Sequence, residues 1–157
     1  MAEVDEEQHG EDARLKLALE HASTWFSLHA RQRMEGVNFF IVASALLVSA
    51  FGAAVTARMD AVAMGIGLLG SWVSLWFNRL DRRANELVKA GEAPMRVLQR
   101  RLAEATAVPE LAMLDRVEEP HARWASYSRV IDVFHATTFC AFAVGAIYAA
   151  VRWLTSR

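Results

Sequence analysis

The chain has a single cysteine, Cys140, and it lies inside an apolar run. One thiol excludes an internal disulfide and any zinc site built on a cysteine pair, so Cys140 reads as a small packing residue. A surplus of charge is missing as well. Seventeen lysines and arginines stand against 18 aspartates and glutamates, for a formal net charge of −1. That balance argues against coating duplex nucleic acid, which depends on neutralising many phosphates. No nucleophile stands beside a base and no glycine-rich phosphate loop is present, so the expectation is a protein that is not an enzyme and uses no metal or cofactor. No cleavable leader is expected: Met1–Asp12 carries Glu3, Asp5, Glu6, Glu7, Glu11 and Asp12, where a leader would be basic and followed at once by an apolar run. The first apolar helix is expected to act as its own insertion signal.

What the chain does have is long charge-free runs. Val37–Ala57 has no charged residue over about 21 positions, Arg58-Met59-Asp60 interrupts it, and Ala61–Phe77 is free of charge again. A bilayer core of roughly 30 Å is crossed by about 20 apolar helical residues. The two runs and their short break predict a transmembrane hairpin over 37–77. A third run, Val130–Val151, has Trp124 and Tyr127 before it and Tyr148 and Trp153 at its far end, the aromatic belts of a membrane span. The expected fold is an all-α membrane protein with three transmembrane helices, the hairpin plus one. Asp132 and His135 interrupt the start of the third, which leaves a buried or re-entrant helix as the alternative. Small residues recur every fourth position: Ala45, Ser49, Ala53 and Ala57; Ala63, Gly67 and Ser71; Gly70 and Ser74; Thr137, Ala141, Gly145 and Ala149. In lipid such stripes let backbones approach closely, within a chain or between copies. Gly65-Ile66-Gly67-Leu68-Leu69-Gly70 matches a dinucleotide-binding pattern letter for letter, but that pattern must join a strand to a helix in water. In the middle of an apolar run it is a coincidence.

The rest of the chain reads as helical. Residues 1–10 form an acidic tail expected to be disordered. Over 11–36, Leu15, Leu19, Ala22, Trp25 or Phe26, His29 and Arg33 recur at three- and four-residue steps and make one face of an amphipathic helix, with Trp25 and Phe26 suited to the headgroup zone. His21 and His29 share that face, but no third ligand joins them and packing is the plainer reading. Arg31 and Arg33 precede the hairpin, Arg79, Arg82, Arg83 and Lys89 follow it, and Arg58 stands alone at its tip, so both hairpin ends and the N-terminus are expected in the cytoplasm. Residues 78–129 are then a cytoplasmic helical collar. Leu80, Ala84, Leu87, Gly91, Met95, Leu98 and Leu102 form a near-heptad seam, and Pro94 is a candidate kink. Thr106-Ala107-Val108-Pro109 makes a turn into a short helix ending at Val117, and Glu118-Glu119-Pro120 breaks the chain before His121 leads into residues 130–157, the third span and a short tail.

Two groups of residues carry candidate chemistry. Asp132 and His135 are ionisable, sit one turn inside an apolar run and share a helix face, which makes them candidates for a pore mouth or a proton path. The plain alternative is that Asp132 reaches the boundary and pairs with Arg129. Gly67, Ser71 and Ser74 are the candidate pore-lining positions of the second helix. The second group is Arg79, Arg82, Arg83, Arg96, Arg100 and Arg101, interleaved with Asp81, Glu86, Glu92 and Glu104. Such charges commonly solvate a helix or meet anionic lipid headgroups. Repeated around an oligomer they would form rings able to bind phosphates.

Trp25-Phe26-Ser27-Leu28-His29-Ala30-Arg31-Gln32-Arg33 followed by Asn38-Phe39-Phe40, and then Leu80-Asp81-Arg82-Arg83, Glu86-Leu87-Val88 and Gly91-Glu92, resemble the small SLATT-type membrane effectors of bacterial anti-phage and conflict systems, among which the Hailong-type effector is a similar case. The resemblance covers roughly Trp25–Leu98. It departs from the pattern at Ala84, where an asparagine would directly follow Arg83, and in the third apolar helix. The resemblance implies a homo-oligomeric effector of the inner membrane that breaches it when a nucleotide or oligonucleotide signal, made by a nucleotidyltransferase partner, changes. Read with the residues, the expectation is a ligand-gated pore or ion channel whose cytoplasmic arginines bind that signal. Two other readings stay open: a non-conducting scaffold that holds a partner through its cytoplasmic helices, and a proton-coupled transporter using Asp132 and His135.

Overall fold

A computed structural model describes the backbone of residues 2–117 and 127–156, with side chains for residues 9–116 and 128–156. The expectations for Glu118-Glu119-Pro120, His121 and Trp124 lie outside the described residues. Four α-helices account for nearly all of the rest: α1 (Ala2–Thr56), α2 (Asp60–Thr106), α3 (Met113–Val117) and α4 (Tyr127–Thr155), with a 3-10 turn over Pro109–Leu111. Among the described residues there is no strand, and α1, α2 and α4 are long and apolar enough to cross a membrane. α1 begins at Ala2, inside the acidic segment for which disorder is expected. Acidic residues near a helix N-terminus complement its dipole and favour such an extension. α2 continues through Pro94.

The break between the apolar runs is a Schellman motif. The Met59 N–H donates to the Ala54 carbonyl at 2.9 Å and the Arg58 N–H to that of Val55 at 3.2 Å, with Arg58 left-handed at φ 57°. The same motif ends α2: Val108 N–H donates to Ala103 at 3.1 Å and Ala107 N–H to Glu104 at 3.3 Å, with Ala107 at φ 54°. Neither position is glycine, so each turn carries a Cβ in a conformation that L-residues disfavour.

The chain divides into two compact units, residues 1–32 with 84–124 and residues 33–83 with 125–157. In the first unit, the seam of α2 meets the amphipathic face of α1. Gly91, Met95 and Ala103 are buried on one side and Ala22 on the other. The indole of Trp25 lies over Gly91, where an added Cβ would stand 3.0 Å from its Cδ1, and its N–H reaches the Leu87 carbonyl at 3.5 Å. Trp25 thus packs on a helix of its own chain while staying 41% exposed. Leu80, at the head of the expected seam, is exposed.

The second unit is a three-helix packing of the apolar runs. Val37, Phe40, Ser44 and Ala54 of α1, Ala63, Gly67, Gly70, Ser71 and Ser74 of α2, and Ile131, His135, Phe142, Ala146 and Ala149 of α4 are buried. The three- and four-residue steps along each helix are those of left-handed bundles. Close approach depends on small residues. A Cβ at Gly67 would stand 2.9 Å from the backbone of Ala146, one at Gly70 2.5 Å from the Phe142 ring, and one at Gly145 2.9 Å from Phe51. Phe40 is enclosed by the rings of Phe77, Phe134 and His135 at centroid distances of 5.3, 5.6 and 4.3 Å. By contrast, the α1 stripe Ala45, Ser49, Ala53 and Ala57 is exposed throughout, as are Phe39, Leu46, Val144 and Ile147.

The strained turn at Ala107 supplies a stability test. Ala107→Gly should raise the stability of the detergent-solubilised protein by about 1 kcal/mol, because the left-handed cost disappears. Ala107→Val should lower it. Thermal unfolding followed by circular dichroism reads both.

Candidate anion-binding site

The six arginines of interest fall in different surroundings. Arg79 lies over the Trp76 ring, 5.6 Å from its centroid. Arg82 approaches Asp132 at 3.8 Å, with both side chains well exposed, and Arg83 is exposed. Arg101 lines a groove of about 700 Å³ with Glu11, Asp12, Arg14 and Glu104. Arg96 and Arg100 are the two that the fold brings together on one anion. They lie one turn apart on α2, and both face Asp115 of α3.

Arg100 holds Asp115 as a fork: Nε donates to Oδ2 at 2.6 Å and Nη2 to Oδ1 at 2.8 Å. Arg96 Nε stands 3.7 Å from Oδ1. Between the two arginines, Gln99 Oε1 accepts the Leu114 N–H at 3.1 Å, so α3 is tied to α2 by backbone as well as by charge. The hydrogen bonds from Arg100 hold the Asp115 carboxyl below its ordinary range. Burial pulls it upward more weakly, and the positive charges of Arg100 and Arg96 reinforce the lowering. Two guanidiniums converging on two oxygens form a seat for any planar or tetrahedral oxyanion, and a phosphoryl group presents the same pair of oxygens to an arginine fork.

The second unit has two ion pairs of a different kind. Arg33 Nε donates to Asp81 Oδ1 at 2.8 Å and Nη2 to Oδ2 at 3.0 Å, while Nη1 reaches the Ser128 hydroxyl at 3.2 Å. The side chains are only 9% and 8% exposed, so this pair is nearly dry. At the other end of the apolar runs, Arg152 pairs with Asp60, its Nε donating to Oδ1 at 2.7 Å and its Nη2 to the Val55 carbonyl at 3.0 Å. One arginine thereby joins the end of α1, the start of α2 and the end of α4.

Asp132 and His135 are not brought onto a shared partner in this arrangement. His135 is 2% exposed; its Nδ1–H donates to the Ile131 carbonyl at 2.9 Å and its ring packs on Phe40. Asp132 points instead to Arg82 of α2, not to Arg129 of its own helix. Gly67, Ser71 and Ser74 are buried within the chain, Gly67 against Ala146 of α4. The serine hydroxyls donate to the carbonyls of Gly67 and Gly70 at 2.9 and 2.8 Å. Sequence reasoning missed Asp115, Gln99 and the two buried pairs. Arg33 and Arg152 carry a signal as charges flanking apolar runs, whereas nothing in the spacing marks Asp115 as the partner of residues 15 and 19 positions earlier.

No protein-family model and no solved structure matches the chain. Among curated proteins it is similar to CD-NTase-associated protein 19 of Escherichia coli, 32% identical over 84 residues, which take in 52% of this chain and 56% of that protein. The chain therefore spans about half the length of the curated relative it matches.

Two outcomes test these pairs. Asp81→Leu alone should cost about 3–5 kcal/mol by leaving the Arg33 charge buried and unpaired, and Arg33→Met with Asp81→Leu should recover most of that loss. Equilibrium unfolding of the four forms checks it. For Asp115, the folded value lies below the ordinary 3.8, so its contribution is present above that value and is lost as pH falls through the depressed one. A carboxyl titration by nuclear magnetic resonance should show a midpoint below 3.8, and Arg100→Ala should raise it.

Proposed function

We propose that this protein is a homo-oligomeric effector of the bacterial inner membrane, whose pore or ion channel is gated by a nucleotide or oligonucleotide on Arg96 and Arg100. The observation that carries the reading is the convergence of these two arginines on one pair of carboxylate oxygens. It is a seat for a phosphate group on a helical unit. Three helices able to cross a membrane, with large apolar side chains exposed on the second unit, supply the membrane part. The name of the Escherichia coli relative associates that protein with a CD-NTase. Carried to this chain, it supports a nucleotidyltransferase as the source of the signal, and the resemblance to SLATT-type effectors supports a role in anti-phage defence. The protein acts without catalysis and takes no metal.

In this reading the N-terminus and the arginines are cytoplasmic. Gly67, Ser71 and Ser74 serve packing within one chain, and copies meet through the exposed α1 stripe of Ala45, Ser49, Ala53 and Ala57. Asp132, with Arg82, stands at the pore mouth. Ligand binding shifts an equilibrium between closed and open packings by no more than its difference in affinity for the two. A non-conducting scaffold is the second reading, favoured by one observation: the arginine seat is already filled from within the chain.

Flux from liposomes separates them. The wild-type protein should conduct in a manner that ATP or a short oligonucleotide changes at least tenfold, and Arg100→Ala should assemble normally but lose that response. Assembly without conduction under any condition would leave the scaffold.

A further inference from the structure

The occupant of the arginine seat is part of the chain, and its attachment is slight. α3 is five residues long, and none of residues 113–116, nor any of the preceding 3-10 turn, is buried. Arg100 is 57% exposed and Asp115 31%, so the fork is open to water and to competing anions. Apart from the arginines, the described polar tie of α3 to α2 is the Gln99–Leu114 hydrogen bond. Within the arm Arg116 stands 3.7 Å from Glu110, which leaves Asp115 as the carboxylate that meets α2. The arm hangs from the left-handed turn at Ala107, and beyond Val117 the chain leads to α4.

We infer that α3 is a displaceable internal ligand: Asp115 occupies the seat of a phosphate group in the unliganded protein, and a phosphate-bearing ligand binds by expelling it. This rests on the reading of Arg96 and Arg100 as the phosphate seat and adds how the seat is regulated. A carboxylate brings one negative charge and two oxygens; a diester phosphate matches both, and a terminal phosphate such as that of ATP brings more of each, so either can compete for the fork. While α3 is docked, only the fraction of molecules with the arm out can bind, and apparent affinity falls by that fraction. Lipid headgroup phosphates share the chemistry and would displace the arm in the same way.

The test uses the full chain in detergent, with ATP, inorganic pyrophosphate and an RNA tetranucleotide as probes in titration calorimetry at fixed ionic strength. Asp115→Asn and Gln99→Ala should each bind a probe at least tenfold more tightly than wild type, and Arg100→Ala should bind none. Gln99→Ala keeps every charge in place and decides the matter should Asp115→Asn fail to fold. Hydrogen exchange over residues 109–117 should accelerate when the probe is added to wild type. Faster exchange in phosphatidylglycerol nanodiscs than in phosphatidylcholine, with no probe present, would identify a headgroup as the occupant and support the displaceable arm. Unchanged affinity in both variants, with binding still lost in Arg100→Ala, overturns this inference and leaves the phosphate seat intact. No binding by any form overturns both.

Discussion

The pair between Arg33 and Asp81 is the contact on which the packing of the second unit depends. Two charges in a site less than a tenth exposed bear a desolvation cost that only good geometry offsets. Here the guanidinium makes a fork to the carboxylate and spends a third donor on Ser128, so α1, α2 and α4 are held in one register. Sliding α1 or α2 by one position would leave a buried charge without its partner, and sliding α4 would withdraw the Ser128 hydroxyl. Such a pair stabilises less than it specifies. The same logic recurs where Arg152 meets Asp60 and the Val55 carbonyl. Between these two pairs the helices need only small residues and well-placed rings, which Gly67 against Ala146 and Gly70 against Phe142 provide.

The charges of the first unit obey a different rule. Arg100 and Asp115 form as good a fork as Arg33 and Asp81, but at 57% and 31% exposure water and salt compete for every donor. A dry pair fixes a structure; a wet pair with equal geometry can be exchanged. This difference in solvation is the physical basis for assigning architecture to one pair and regulation to the other. It also explains how a short helix is held with none of residues 113–116 buried. The depressed carboxyl of Asp115 records the strength of the contact, while its exposure leaves it open to a stronger anion.

The helical fold could be read from the sequence because its signals are local. The charge-free runs and the Arg58-Met59-Asp60 break marked α1, α2 and their turn, and the four-residue stripes marked close packing. The seam expected from Leu80 to Leu102 holds from Ala84 onward, Leu80 being exposed, and its partner is the Ala22–Phe26 face of α1. Pairing between helices was harder, because a three- or four-residue step says which residues share a face but not which helix that face meets. Spacing alone therefore offers Asp132 only Arg129 of its own helix as an alternative partner, whereas Arg82 lies across from it. The stripes looked alike in sequence; only their neighbours separate the buried Gly67, Ser71 and Ser74 from the exposed Ala45, Ser49, Ala53 and Ala57. Of the six arginines singled out, Arg96 and Arg100 were brought together by a tertiary contact that no periodicity announces.

A collar of arginines becomes a ring, and a membrane helix becomes part of a pore, only if copies of the chain surround an axis. Particle mass and two-dimensional class averages of the purified protein in detergent measure that directly. The account predicts closed rings of three or more copies around a central axis. A population of monomers, or of dimers with no axial path, would contradict it.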